Sequence, residues 1–301
     1  MRLGLAELID PALAVHVAEC REFNARTPPG RGPNGPEELR EARARQVPAA
    51  ADPAAVEEVV EAGGRRATVR VLRPDGVAPR GVHLDIHGGG FYLGSAVGGD
   101  VRNRQLADAL GVVVVSVDYR LAPEHPWPAA PDDCETAALW LVEQAEARFG
   151  ARRLTIGGFS AGATLATTTL LRLRDRDRVT PFVGAVLQFG TYDLSGLTPA
   201  GRLIADEYFI QAYAGHVTDR AAPDISPIYG DLRGLPPLLM VVGGLDVLLE
   251  DNLALAARVS AAGGDVDLRI YPESRHGFTS RSTGMAKAAR SDIEGWLAER
   301  F

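Results

Sequence analysis

The chain has 301 residues, 46% of them hydrophobic and 24% charged, a composition typical of globular proteins and not of disordered or fibrous ones. The net charge of −7 and the dispersed basic residues argue against a nucleic-acid partner, because phosphate binding needs clustered Lys and Arg. The apolar runs are too short to cross a bilayer, so no membrane association is expected.

The cysteines and the N-terminus indicate the compartment. Cys20 and Cys134 have no metal-ligand spacing, so neither a structural metal nor a disulfide framework is expected. Acidic residues interrupt the first ten positions before an apolar stretch reaches signal-peptide length. We therefore expect a cytoplasmic protein with two free thiols.

The first fifty residues predict a separate helical segment. Apolar side chains within residues 3–23 fall on roughly one helical face, which Pro11 interrupts near its start. Residues 27–36 are rich in proline and glycine and predict an irregular loop. A second, charged helix is expected from Glu37 to about Arg45.

The rest of the chain predicts an α/β fold. A β-hairpin over residues 55–73 turns at Gly63-Gly64, and short apolar strands then alternate with helices. This texture favours a mostly parallel sheet with helices on both faces. Residues 191–237 are too long for a simple connection and predict an insertion that arches over the carboxyl ends of the strands. The predicted strands of this part are residues 82–86, 112–117, 154–156, 182–189, 238–242 and 266–271.

A G-x-S-x-G pattern follows the strand at residues 154–156 and precedes a helical run. Glycines at 158 and 162 let a strand-to-helix turn close, which would lift the Ser160 hydroxyl above the sheet edge. The N–H of Ala161 would lie at the helix N-terminus, where it can receive an oxyanion. The pentapeptide alone is equally compatible with a glycine-rich turn capped by a serine.

Glycines also follow the strand at residues 82–86. The amides of Gly88 and Gly89 can approach a substrate without side-chain obstruction, so we predict an oxyanion hole formed by these two N–H groups and that of Ala161. A phosphate-binding loop would need a Lys-Ser or Lys-Thr pair, which is missing here.

An acid and a histidine follow two later strands. Asp246 comes after the strand at residues 238–242, with Asp251 as the alternative acid. Of the six histidines, only His276 follows both the serine and the acid at the end of the last strand. The order Ser160, Asp246, His276 is typical of the catalytic triad of α/β hydrolases.

With these motifs the chain resembles the hormone-sensitive-lipase-like esterases, the bacterial family IV carboxylesterases of the α/β-hydrolase fold. The resemblance covers most of the chain. It rests on the order and spacing of His87–Phe91, Asp118–Ala130, Gly158–Gly162, Asp246 and His276–Phe278. The Asp118–Ala130 stretch is long enough to be very specific, and its expected role is to support a loop beneath the site.

The resemblance implies an eight-stranded, mostly parallel sheet flanked by helices, with a helical cap. Residues 1–50 would form the N-terminal part of the cap, residues 51–301 the catalytic domain, and residues 191–237 the rest of the cap. It implies hydrolysis of small, short-acyl esters by a serine carboxylesterase that needs neither metal nor cofactor. By the same analogy, the edge of the last strand would support a homodimer.

The chain departs from the family pattern at three positions. Phe159 replaces the usual Asp or Thr before the serine, Val247 replaces a proline after the acid, and Ala163 replaces a glycine. We expect these changes to alter specificity and to leave the triad intact. The side chains expected by position to line the substrate pocket are Tyr92, Leu93, Phe159, Phe209, Ile210, Tyr213 and Phe278.

Other functions are compatible with the same triad. A lactonase, an amidase or an acyltransferase would use the same three residues, and the sequence does not separate them from an esterase. A non-catalytic ligand receptor would instead have a broken triad. An interaction module built on the apolar N-terminal helix would be recognised by a stable heteropartner and by the lack of esterase activity.

Overall fold

The structure is a computed structural model that describes residues 4–28, 30–46 and 50–301. Its centre is an eight-stranded sheet in the order β1-β2-β4-β3-β5-β6-β7-β8. Only the β1–β2 and β2–β4 pairings are antiparallel, which confirms the predicted mostly parallel sheet. The strands are β1 (Val56–Ala62), β2 (Arg65–Leu72), β3 (Val82–Ile86), β4 (Val113–Val117), β5 (Leu154–Phe159), β6 (Phe182–Gln188), β7 (Leu238–Gly243) and β8 (Val266–Tyr271).

The helices cover both faces of this sheet and account for the apolar character of its strands. Strands β3, β4 and β7 are buried along their whole length, as expected for parallel strands with helices on both sides. The helices are α1 (Val17–Arg26), α2 (Pro36–Ala44), α3 (Asp100–Leu110), α4 (Ala129–Phe149), α5 (Ala161–Asp175), α6 (Pro199–Ile204), α7 (Tyr208–Ala214), α8 (Leu249–Ala261) and α9 (Gly284–Ala298). None of the helices within the described ranges combines the length and the apolar character needed to cross a bilayer.

The register of the central strands brings two loops of the site side by side. Ile86, the last residue of β3, pairs with Gly158 of β5. Phe159 in turn pairs with Gln188 at the end of β6. Strand β5 extends beyond the predicted residues 154–156 because Gly157 and Gly158 pair with strands on both sides. The glycine loop after β3 and the serine after β5 therefore emerge at the same edge of the sheet.

The N-terminal segment differs from the prediction of one amphipathic helix. Two 3-10 turns, Leu5–Leu8 and Pro11–His16, precede α1. The break lies at Pro11, where Asp10 caps the second turn by accepting a hydrogen bond from the N–H of Ala12 at 2.8 Å. The predicted second helix is α2, which begins at Pro36. The predicted segment of residues 1–50 also includes residues 1–3, 29 and 47–49, which lie outside the described residues.

Polar contacts fasten α2 to the body of the protein. Arg43 donates to the carbonyl oxygens of Tyr92 and Ala122 at 2.9 and 2.7 Å, and it pairs with Glu124 at 2.7 Å. These partners belong to the glycine loop and to the Asp118–Ala130 stretch.

The insertion of residues 191–237 contains α6, α7 and a 3-10 turn at Pro227–Tyr229. Asp224 within it accepts hydrogen bonds from Arg172 of α5 at 2.5 and 2.7 Å and from the indole N–H of Trp127 at 2.8 Å. Charge-assisted bonds of this kind hold the insertion against α5 and the Asp118–Ala130 stretch.

Candidate active site

Ser160 lies at a sharp turn between β5 and α5. Its backbone has φ 52° and ψ −123°, a conformation that non-glycine residues rarely adopt and that costs free energy. A Cβ on Gly162 would lie 2.1 Å from the carbonyl oxygen of Ile86, and one on Gly158 would lie 2.5 Å from the Gly162 backbone. The turn can therefore close only because both positions lack a side chain.

Three polar side chains predicted from separate strand ends meet at this turn. The Oγ of Ser160 lies 2.9 Å from Nε2 of His276, and Nδ1 of His276 lies 3.1 and 3.0 Å from the two carboxylate oxygens of Asp246. The side chain of Asp246 is 0% exposed and that of His276 is 38% exposed. The N–H of Leu248 also donates to Oδ1 of Asp246 at 2.9 Å. The carboxylate is thus held as an acceptor facing Nδ1, which leaves Nε2 able to accept a proton from the serine.

An aromatic residue fixes the other side of the imidazole. Phe189, directly after β6, packs against His276 edge to face with ring centroids 5.1 Å apart. Its backbone has a positive φ of 39°, so the chain bends sharply there. The histidine ring is held between a carboxylate and an aromatic ring.

The glycine loop presents backbone N–H groups beside the serine. Gly89 has φ 116°, and a Cβ there would lie 2.2 Å from the carbonyl oxygen of Leu93, so only glycine fits. Within the described part of the chain, the N–H groups of Gly88, Gly89 and Ala161 donate to no protein acceptor. Ala161 is the first residue of α5, where the N–H groups point out of the helix and the dipole favours negative charge.

His87 anchors this loop from below. Its ring stacks on Tyr119 with centroids 4.1 Å apart, and the Tyr119 hydroxyl donates to the His87 carbonyl oxygen at 3.0 Å. Burial lowers the pKa of His87, which favours the neutral ring. The histidine therefore belongs to the support of the loop and lies apart from the Ser160–His276–Asp246 chain.

A cavity of about 650 Å³ opens onto Ser160 and His276. Tyr92, Phe159, Phe209 and Phe278 border it, at the positions predicted for the substrate pocket.

The prediction was wrong for three other pocket positions, because Leu93, Ile210 and Tyr213 lie outside this lining. Tyr213 is buried in the core, where its ring stacks on Phe91 at 4.0 Å, and Ile210 is also fully buried. Leu93 packs on the same core while its carbonyl oxygen faces Gly89.

Much of the remaining lining comes from the N-terminal segment and was not predicted. Phe23, Asn24 and Thr27 border the cavity, and Phe189 borders it from the end of β6. Only Phe189 carries a usable sequence signal, since it stands at a strand end where site residues gather.

The N-terminal segment is tied to the loop that carries His276. The side chain of Asn24 donates to the Glu273 carbonyl oxygen at 2.8 Å, and Arg275 donates to the Thr27 carbonyl oxygen at 3.0 Å. Arg21 also pairs with Glu273 at 2.9 Å. One wall of the cavity is thus fixed relative to the histidine.

Comparison with known proteins identifies the family. Residues 83–280 match the model of a family with the alpha/beta hydrolase fold. Over 225 residues the chain is 34% identical to a carboxylic ester hydrolase, LipN, of Mycobacterium tuberculosis, a match that covers 69% of this chain and 60% of that relative. It is 35% identical over 230 residues to an ethyl acetate hydrolase of Pseudomonas putida, covering 71% of this chain and 72% of that one.

A solved structure extends the likeness to nearly the whole chain. A hyperthermophilic esterase of the archaeon Pyrobaculum calidifontis superposes with a TM-score of 0.79 at 27% identity, covering 97% of this chain and 98% of that one. The match includes the N-terminal segment that borders the cavity. The chain therefore belongs to the α/β-hydrolase family and, within it, to the hormone-sensitive-lipase-like carboxylesterases.

Proposed function

We propose that this protein hydrolyses small carboxylic esters with short acyl groups through an acyl-enzyme on Ser160. The observation that carries the proposal is the hydrogen-bonded chain from Ser160 through His276 to Asp246 at the cavity floor. A serine hydroxyl is a weak nucleophile by itself, and a base within 2.9 Å that is oriented by a carboxylate is what activates it.

The first half of the reaction forms the acyl-enzyme. Ser160 Oγ attacks the ester carbonyl carbon while Nε2 of His276 takes the hydroxyl proton, and Asp246 stabilises the imidazolium that results. When the tetrahedral intermediate collapses, the carbon–oxygen bond to the alcohol breaks and His276 returns the proton to the leaving oxygen. Water then repeats the cycle on the acyl-enzyme, with His276 again as base, and releases the acid and free Ser160.

The N–H groups of Gly88, Gly89 and Ala161 are the proposed oxyanion donors. All three are free of protein acceptors within the described residues and lie beside the serine. Each donor of this kind contributes on the order of a hundred- to a thousandfold in rate, because it faces charge that exists only during the reaction.

Short acyl groups are favoured by the aromatic enclosure of the cavity and by the named activity of one relative. Phe159, Phe189 and Phe278 crowd the floor around Ser160 and His276. The Pseudomonas relative is named for ethyl acetate, a two-carbon acyl ester. We also assign the cap to residues 4–46 and 191–237, because both segments border the cavity.

The test is the initial rate of hydrolysis of p-nitrophenyl esters with two to twelve acyl carbons, measured on the wild type and on Ser160→Ala. We expect turnover of the short esters by the wild type and a loss on the order of a millionfold in the variant. Phenyl acetamides and γ-lactones form parallel arms. Turnover confined to those arms would replace the esterase with an amidase or a lactonase, and equal rates in the variant would remove Ser160 from the mechanism.

A further inference from the structure

A second cavity of about 130 Å³ lies behind the active-site cavity, between the sheet and helices α3 and α9. Its lining is mostly apolar and includes Leu106 of α3 and Ile293 and Leu297 of α9. A cavity of about 150 Å³ accommodates a benzene-sized group. The space behind the nucleophile is therefore large enough for part of a substrate chain.

Two aromatic rings separate this rear cavity from the active-site cavity. Phe159 and Phe189 border both spaces, and their ring centroids lie 6.4 Å apart. Gly277, next to His276, borders both as well. Phe159 precedes the nucleophile directly, so the partition stands within one residue of the reacting atom.

The contacts of the Phe159 ring hold it in place. The Arg102 guanidinium lies over the ring at 5.0 Å, and both carboxylate oxygens of Asp85 accept from Arg102 at 2.8 Å. On the other side the ring approaches Gly88 so closely that a Cβ there would lie 2.6 Å from it. A ring packed between a paired guanidinium and a backbone segment acts as a fixed wall.

We propose that Phe159 is the specificity-determining residue that limits the length of the ester substrate, by closing the rear cavity to its apolar chain. The inference rests on the proposed esterase function. It assigns the short-chain preference to one side chain and identifies the space into which a longer alkyl or aryl group would pass once that side chain is removed.

The test is a double-mutant cycle of the wild type, Phe159→Ala, Leu106→Phe and the double variant. For each protein, kcat/KM is measured on p-nitrophenyl acetate, hexanoate and octanoate, and on acetate esters of hexanol and octanol. The first series places the long chain on the acyl side and the second on the alcohol side. Each methylene that becomes buried is expected to raise kcat/KM about fourfold.

We expect Phe159→Ala to raise the ratio of long-chain to acetate activity by about tenfold or more in one of the two series, which identifies the side that enters the rear cavity. Leu106→Phe refills that cavity from α3, so it should cancel the gain in the double variant and leave the wild-type profile unchanged. Phe209→Ala is the matched control, because Phe209 borders only the active-site cavity. Any shift it produces should be insensitive to Leu106→Phe.

Three outcomes would overturn the inference. The first is an unchanged ratio in both series for an active Phe159→Ala. The second is a gain that Leu106→Phe leaves intact. The third is a loss of long-chain activity in Leu106→Phe alone, which would mean that the ring swings aside in the wild type. If Phe159→Ala fails to fold, Phe159→Leu is measured in its place with the same criteria. An inactive but folded wild type would instead contradict the proposed function.

Discussion

Replacing Asp246 with asparagine should reverse the tautomer of His276 and lower kcat by about four orders of magnitude. The carboxylate accepts from both the Leu248 N–H at 2.9 Å and Nδ1 of His276 at 3.0 Å. Asparagine has a single acceptor oxygen. If that oxygen keeps the Leu248 N–H, the amide NH₂ faces Nδ1, which must then be unprotonated. The remaining proton moves to Nε2, and the ring can no longer accept the proton of Ser160.

A reversal of this kind costs about 10⁴ in kcat, or about 5.5 kcal/mol of transition-state stabilisation. The assay is steady-state hydrolysis of p-nitrophenyl acetate by wild type, Asp246→Asn and Asp251→Asn, with circular dichroism to check the fold. Asp251 is the matched control because it is also buried, stands five residues further on, and was the alternative acid from the sequence. Retention of more than a tenth of kcat in Asp246→Asn, or an equal loss in Asp251→Asn, would refute the reasoning.

Three further predictions concern stability and the frame of the site. Burial, opposed by a hydrogen bond from Thr198 and reinforced by Asp193, raises the pKa of Asp251 to about 6 from 3.8. Because the folded state then binds the proton more tightly, this group costs stability as pH rises from about 4 to about 6. Asp251→Asn should therefore gain on the wild type in urea unfolding by up to about 3 kcal/mol between pH 4 and pH 8, and a difference independent of pH would contradict this. Gly162→Ala places a methyl group 2.1 Å from the Ile86 carbonyl oxygen and should cost at least about 1–3 kcal/mol together with most of the activity. Gly295→Ala, in an open position of α9, should stabilise by about 0.5–1 kcal/mol, and similar effects of the two changes on thermal unfolding would sink the steric argument. Arg43→Ala removes bonds to the Tyr92 and Ala122 carbonyl oxygens and should raise KM and lower the unfolding free energy by about 1–3 kcal/mol. Exposed Arg45, paired only with Glu41, should lose less than about 0.5 kcal/mol on the same change, and equal losses would count against α2 being fastened by Arg43.

Local pattern carried the fold and the arrangement of the candidate triad. Short apolar strands that alternate with helices leave few topologies open, and the carboxyl ends of parallel strands meet at one edge. Ser160, Asp246 and His276 could therefore be placed together although they are up to 116 residues apart in sequence. The glycines at 88, 158 and 162 were informative because their requirement is local and steric.

The cavity was less accessible to prediction because its walls depend on long-range packing. The contact of Asn24 with Glu273 spans 249 residues, and nothing in the sequence around either residue announces it. Tyr213 was misplaced because a seven-residue helix does not reveal from its sequence which side faces the core. The break in the first predicted helix was signalled by Pro11, but the resulting 3-10 turns were not. The homodimer remains a prediction, with β8 at the edge of the sheet.

The central claim is that Ser160 carries the acyl group during turnover. The most direct measurement is rapid acid quenching of the enzyme with p-nitrophenyl butyrate, followed by intact-mass and peptide-level mass spectrometry, with His276→Ala in parallel. Ser160→Ala serves as the blank. The account predicts a mass increase of one butyryl group in the wild type, located on the peptide containing Ser160, with little or none in either variant. A butyryl group on another residue, or ester turnover with no acylated protein at any quench time, would contradict it.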